Sequence, residues 1–314
     1  MIEYSAIFER IIKQYTDDEL QQICKTLNRI YNIYDSEGYR WTQLQYVLTK
    51  TSEADISALR RSQLSNQVIN DLILRFYPCE RVVKYYLIKK LRTLSNQIVA
   101  FEMSIGNSRI DLCRINGHSY AYEIKTSYDT FDRLDTQMAD YMDTFEKVYL
   151  VIPFDRKDDA ACHIPENCGI ITYRISKNGE LIFHYLRKAN TNMCDIRKCI
   201  SSLSSADISQ FLKLLKIQNI PTLKDEKLSM LFSKSNRALW SAYKKLLKIK
   251  YAPKWDYLIK HFSEILPIDM QNFFQLPSIQ ALHITRQQKR RDSHSKLSRL
   301  LTIHVIQASI SYIV

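Results

Sequence analysis

A chain of 314 residues, 46% hydrophobic and 25% charged, has an ordinary globular balance with apolar material for one or two packed cores. Five glycines and seven prolines argue against long flexible linkers, and no stretch approaches the ~18 consecutive apolar residues of a membrane span. The formal net charge of +12 points to a polyanion, either nucleic acid or an anionic membrane surface, and it is unevenly placed: residues 187–314 hold 22 Lys+Arg against 8 Asp+Glu, while residues 1–186 hold 23 against 25.

Residues 1–75 read as helices. Ile7, Ile11, Ile12 and Tyr15 form one apolar stripe, and Asp17 or Asp18 is placed to cap a second helix running towards Tyr31. Leu64, Val68, Leu72 and Phe76, spaced by four, mark another helix within Thr51–Phe76. The N-terminus lacks the apolar run of a secretory signal. Pro78 opens a helix over Cys79–Leu94, with Val82, Val83, Tyr86, Leu87 and Leu91 on its apolar side.

Short alternating segments follow. Ile98–Ser104, Arg109–Ile115 and His118–Lys125 read as successive strands, with Asn116-Gly117 as a hairpin turn. Phe131–Phe145 reads as a helix with Leu134, Met138, Tyr141 and Met142 inward, and Lys147–Pro153 as a buried strand. Gly169–Tyr173 and Glu180–Tyr185 are two further strand candidates, and from Asp195 the chain is helical again. The expected fold class is α/β, a mixed central sheet flanked by helices, with helical N- and C-terminal regions. The expected division is 1–75, 76–187 and 188–314.

Asp111, Glu123 and Lys125 stand out within this region. Glu123 and Lys125 are two apart on a strand and point to one face, where an acid and a lysine among apolar residues are costly without a task. The position of Asp111 depends on register. A two-residue turn, pairing Ile115 with His118, puts its carboxylate on the opposite face. A three-residue loop over Ile115–Gly117, pairing Arg114 with His118, puts it on the face of Glu123. Two converging carboxylates repel without a cation between them, and oxygen ligands with open positions suit Mg²⁺ or Mn²⁺. Such an ion binds a scissile phosphate and its attacking water, and a lysine two residues away steadies the developing charge. The pattern therefore reads as a phosphodiester-hydrolysing site.

Residues 109–153, RIDLCRINGHSYAYEIKTSYDTFDRLDTQMADYMDTFEKVYLVIP, resemble the PD-(D/E)XK, or restriction-endonuclease-like, superfamily, and in particular its small bacterial members. The resemblance extends over 79–153 and implies a divalent-metal nuclease acting on DNA, in DNA repair or in phage or host defence. It assigns Asp111 and Glu123 to the metal, Lys125 to catalysis, the backbone carbonyl of Ile124 as a further ligand, and Glu80 as an additional acid on the preceding helix. RecB-like members add Q-x-x-x-Y, matched here by Gln137 and Tyr141 on one helix face. Ile110 stands where the full motif has proline. Arg133 is placed either for phosphate contact or for a capping role.

In the basic part, Lys244, Lys245, Lys248, Lys250, Lys289, Arg290 and Arg291 are candidate nucleic-acid contacts, while the nearby Trp240, Tyr251 and Trp255 read first as core. DNA is the expected partner, RNA is not excluded, and no membrane is expected. Cys162, His163, Cys168, Cys194 and Cys199 match neither zinc nor iron–sulfur spacings, and seven cysteines without a CxxC pair fit a reducing cytoplasm. The rival expectations are a junction resolvase or RNA-cutting member, and a non-cutting nucleic-acid-binding subunit that keeps the fold.

Overall fold

The computed structural model describes residues 2–105 and 108–275. Met1–Gln271 forms one compact unit, which includes the expected N-terminal helices and the sheet. Of the second unit, Asn272–Val314, the described residues reach Gln275. The expected contacts Lys289, Arg290 and Arg291, and the apolar tail from Leu300, lie outside the described residues.

The first helices are α1 (Ile2–Ile12), α2 (Asp17–Ile30), α3 (Glu37–Val47), α4 (Glu53–Ser62) and α5 (Ser65–Phe76). The cap of α2 is Thr16 and not Asp17 or Asp18. Its hydroxyl accepts from the Glu19 amide at 3.3 Å while the Glu19 carboxylate accepts from the Thr16 amide at 2.9 Å, a reciprocal capping box. The region 51–76 holds two helices, because Gln63 is extended and ends α4. Leu64 therefore caps α5 and lies on the surface, outside the stripe that Val68 and Leu72 share.

Next come α6 (Glu80–Leu91), β1 (Ile98–Ile105), β2 (Ser108–Asn116), β3 (His118–Ile124), α7 (Leu134–Met142), β4 (Lys147–Pro153), α8 (Lys157–Ala161), β5 (Gly169–Ile175) and β6 (Leu181–Arg187). The six strands lie in chain order across one sheet, with β3–β4 and β4–β5 parallel and the other pairs antiparallel. The mixed α/β sheet expected from the sequence is thus present. β4 is buried almost throughout, as its unbroken apolar run requires. Lys90 of α6 sits over the Tyr185 ring, on the face that carries Tyr122 and Tyr149, whereas Tyr141 of α7 meets Glu123 on the other face. The sheet is therefore covered on both faces.

The described residues continue with α9 (Ile196–Ser201), α10 (Ser205–Leu214), α11 (Lys224–Phe232), α12 (Asn236–Lys260) and α13 (Met270–Gln275). Trp255 is core, as expected. No helix among the described residues is long and apolar enough to cross a membrane.

The β2–β3 hairpin differs from both expected registers. Asn116 faces His118, and Gly117 alone forms the turn at φ +72°, a left-handed value that suits glycine. The expected loop over Ile115–Gly117 is too long by two residues. Side-chain direction has a period of two, so this correction leaves Asp111 on the face of Glu123.

Gly169, at the start of β5, is fixed by close approach. A Cβ there would lie 2.3 Å from the Tyr149 ring and 2.7 Å from the Ala189 amide nitrogen. Gly169→Ala should therefore destabilise the protein by about 1–3 kcal/mol through overpacking, read as a lower urea midpoint. An unchanged midpoint would contradict this packing.

Candidate active site

Pairing between β2 and β3 runs from the turn to Leu112 and Tyr122. One step further, Asp111 is level with Glu123, and its Oδ2 accepts the Ile124 amide at 2.7 Å. A side-chain oxygen thus takes an amide that a strand carbonyl would otherwise accept. β3 continues against β4, with the Lys125 amide donating to the Val151 carbonyl at 2.9 Å.

Glu123 is 3% exposed, and both its oxygens are engaged. Lys125 Nζ donates to Oε1 at 2.8 Å, and the Tyr141 hydroxyl donates to Oε2 at 3.0 Å. Gln137 Oε1 accepts from Lys125 Nζ at 3.0 Å. Gln137 and Tyr141, one turn apart on α7, therefore fix Lys125 and Glu123 respectively. Tyr141 is also core, fully buried, with its hydroxyl 2.9 Å from the Arg109 carbonyl.

A second group of carboxylates adjoins the first and shares Asp111. Glu80, in the first turn of α6, and Glu102, in β1, offer oxygens that lie with one from Asp111 within 4.8 Å of one another. Among the described residues this is the one set of three or more His, Cys, Asp or Glu placed to hold a metal ion, so the cysteines and His163 form no such set. The donors are all oxygen, which fits a hard divalent cation such as Mg²⁺ or Mn²⁺.

Two residues of this group escape the sequence pattern. Glu102 is an isolated acid in the apolar run IVAFEMS and has φ +53°, a left-handed conformation that costs a non-glycine residue about 1–2 kcal/mol. Arg109 Nε holds its Oε2 at 2.6 Å. Lys84 lies one turn after Glu80, and its ammonium contacts Glu80 and Glu102, is 3.3 Å from Asp111 Oδ1, and donates to Gln271 Oε1 at 3.1 Å. The signal for Lys84 was its spacing to Leu87, Ile88 and Leu91, which puts a lysine in the buried stripe of α6.

Charge balance is uneven here. Burial pushes the Asp111 carboxyl well above the usual carboxylate range against the pull of Lys84, and Glu123 and Glu80 push the same way. Burial also raises Glu123, against the opposing effects of Lys125 and Tyr141. Lys84 loses hydration, which favours its neutral form, yet Asp111, Glu80 and Glu102 outweigh that and hold it charged.

The remaining candidates lie apart from this cluster or on the surface. Arg133 is exposed at the N-terminus of α7. Lys244 is taken up internally, donating to the Gly117 carbonyl at 2.8 Å and pairing with Glu146 at 2.7 Å, so it ties α12 to the hairpin turn. Lys250 pairs with Asp207, and Lys245 and Lys248 are exposed.

Raised carboxyl pKa values have a definite sign in stability. The folded state binds these protons more tightly than the unfolded chain, so the cost of Asp111 and Glu123 at neutral pH is relieved as pH falls through their folded values. Arg75, Lys50 and Arg10 instead lower Glu9, Glu19 and Asp55 through hydrogen bonds, and that stability is lost below the ordinary carboxylate range. Melting temperature in EDTA should therefore rise from about pH 8 to about pH 5 and then fall, with a smaller rise in Asp111→Asn. A steady fall from pH 8, identical in both proteins, would contradict the buried-carboxylate account.

The family described as Bacteriophage P4 protein cII matches residues 74–273. Protein cII of Enterobacteria phage P4 is 31% identical over 114 residues, covering 35% of this chain and 43% of that protein. The alignment thus spans less than half the length of that relative. Among solved structures, a protein of unknown function from Silicibacter pomeroyi aligns with a TM-score of 0.30 at 13% identity, over 42% of this chain and 88% of the other. SfsA of Pyrococcus furiosus, solved in complex with Ca²⁺, aligns with a TM-score of 0.22 at 13% identity, over 35% and 62%.

Proposed function

The chain belongs to the Bacteriophage P4 protein cII family, and we propose that it is a divalent-metal-dependent nuclease that hydrolyses DNA phosphodiester bonds through a PD-(D/E)XK-type site. The observation that carries this reading is the convergence of Asp111, Glu123 and Lys125 where β2 and β3 stop pairing, with Gln137 and Tyr141 holding the lysine and the glutamate.

Asp111 and Glu123 would hold Mg²⁺ or Mn²⁺, with the Ile124 carbonyl and Glu80 as further ligands and Glu102 added by its position. The ion, when bound, supplies Lewis acidity and a water of lowered pKa. Lys125 is held by Gln137 and lies beside Glu123, which suits it to orient the attacking water or steady charge on the phosphate oxygens. The exposed Arg133, Lys245 and Lys248, and the positive balance of residues 187–314, suit contact with the DNA backbone.

One observation favours a second reading. Lys84 already places a positive charge among Glu80, Glu102 and Asp111, as a protein that binds nucleic acid without cutting it could afford.

Incubating linear plasmid, circular plasmid and single-stranded DNA with Mg²⁺ or Mn²⁺ separates the two. The nuclease reading expects cleavage that EDTA abolishes and that Lys125→Ala lowers by roughly 10²–10³-fold. DNA bound by the wild type but left intact in every case would favour the non-cutting reading.

A further inference from the structure

Lys84 is 2% exposed at its side chain, which is rare for lysine. Four oxygen-bearing side chains from separate segments meet its ammonium: Glu80 from α6, Glu102 from β1, Asp111 from β2 and Gln271 from α13. Oxygen ligands converging on one centre are the surroundings a hard divalent cation takes, but here the central charge is the protein's own. Asp111 belongs to both arrangements, since its other oxygen accepts the Ile124 amide beside Glu123 and Lys125. The left-handed backbone at Glu102 brings a third acid to this point from an otherwise regular strand.

Taking the nuclease reading as its basis, we propose that Lys84 is the site's internal counter-cation, standing where a divalent ion is to be held, and that the ion is admitted only when Lys84 withdraws. Three carboxylates this close repel one another strongly at low dielectric where ionised, and Lys84 is the buried positive charge that touches all three, while Arg109 pairs with Glu102 alone. A single ammonium on a flexible four-carbon stem can supply that charge and still leave. Glu80, whose side chain is 47% exposed, forms the open side of the cluster. Metal affinity in the wild type is therefore reduced by the work of removing Lys84, and the site is held in an inactive form until metal is plentiful.

Two measurements on the full chain test this exchange. In the first, Mn²⁺ binding is titrated calorimetrically for wild type and Lys84→Met, which keeps an unbranched stem, one atom shorter, and removes the charge. The exchange predicts affinity tighter by ~10-fold or more in the variant, because no like charge competes for the ligands. In the second, wild-type lysines are acylated with and without saturating Mn²⁺ and read by mass spectrometry. Lys84 should go from protected to labelled, by ~10-fold or more in rate, as its burial is lost. This second measurement decides the matter if the variant does not fold. Equal or weaker Mn²⁺ binding by Lys84→Met, or a Lys84 that stays protected at Mn²⁺ saturation, would overturn the exchange. DNA cleavage assayed alongside keeps the two claims apart. Cleavage without the affinity gain removes the exchange and leaves the nuclease. The affinity gain and labelling without cleavage establish the exchange and remove the nuclease.

Discussion

The hydrogen bond from the Ile124 amide to Asp111 Oδ2 is the contact on which the site's geometry turns. Because a side chain accepts that amide, β2 and β3 stop pairing after Leu112 and Tyr122, and Asp111 and Glu123 remain level on one face. The same strand keeps its bond to β4 at Lys125, so the lysine is held by the sheet on one side and by Gln137 of α7 on the other. Displacing Asp111 would release an amide and an acid together, and both are buried.

Electrostatics then determines what the cluster can be. Four carboxylates, from Glu80, Glu102, Asp111 and Glu123, lie among three cationic side chains, Lys84, Arg109 and Lys125. Local pairing does not offset burial, since both Asp111 and Glu123 are driven towards the protonated form. Such a group of acids is unfavourable for a purely structural purpose, where apolar residues of similar volume serve as well or better. A cation taken from solution would reverse the balance, which is the physical reason the arrangement reads as a metal centre. Of the helices outside the sheet, α12 serves the site at a distance, holding the hairpin turn at Gly117 through Lys244, and α7 serves it directly, supplying both side chains that orient the central pair.

Much of this was legible from residue patterns. Alternation placed β1 to β3 within a residue or two, and the apolar run KVYLVIP gave β4 at its full length. Glu123 and Lys125 were identifiable because a spacing of two on a strand fixes a shared face. Asp111 joined them only with the right register, and Gln137 and Tyr141 came from the resemblance to RecB-like nucleases, their spacing of four placing them on one helix face. The hairpin loop was expected two residues too long, but a shift of two preserves the face, so that error did not reach the site. Glu102 and Lys84 were hidden for different reasons. An isolated glutamate in an edge strand looks like ordinary outward alternation, and nothing in IVAFEMS announces the left-handed backbone that turns it inward. Lys84 breaks an apolar stripe, yet its partners come from β1, β2 and the segment near Gln271, contacts that only the tertiary fold creates. Lys244 shows the converse, since a basic run on a helix does not reveal which of its lysines has an acid waiting in another element.

The most direct test of the proposed metal site is anomalous diffraction from crystals of the full chain soaked in Mn²⁺. The account predicts a manganese peak about 2.0–2.4 Å from a carboxylate oxygen of Asp111, with oxygens of Glu123, Glu80 or Glu102 completing the shell. An ordered Asp111 with no peak beside it at millimolar Mn²⁺, or manganese bound only elsewhere on the molecule, would contradict it.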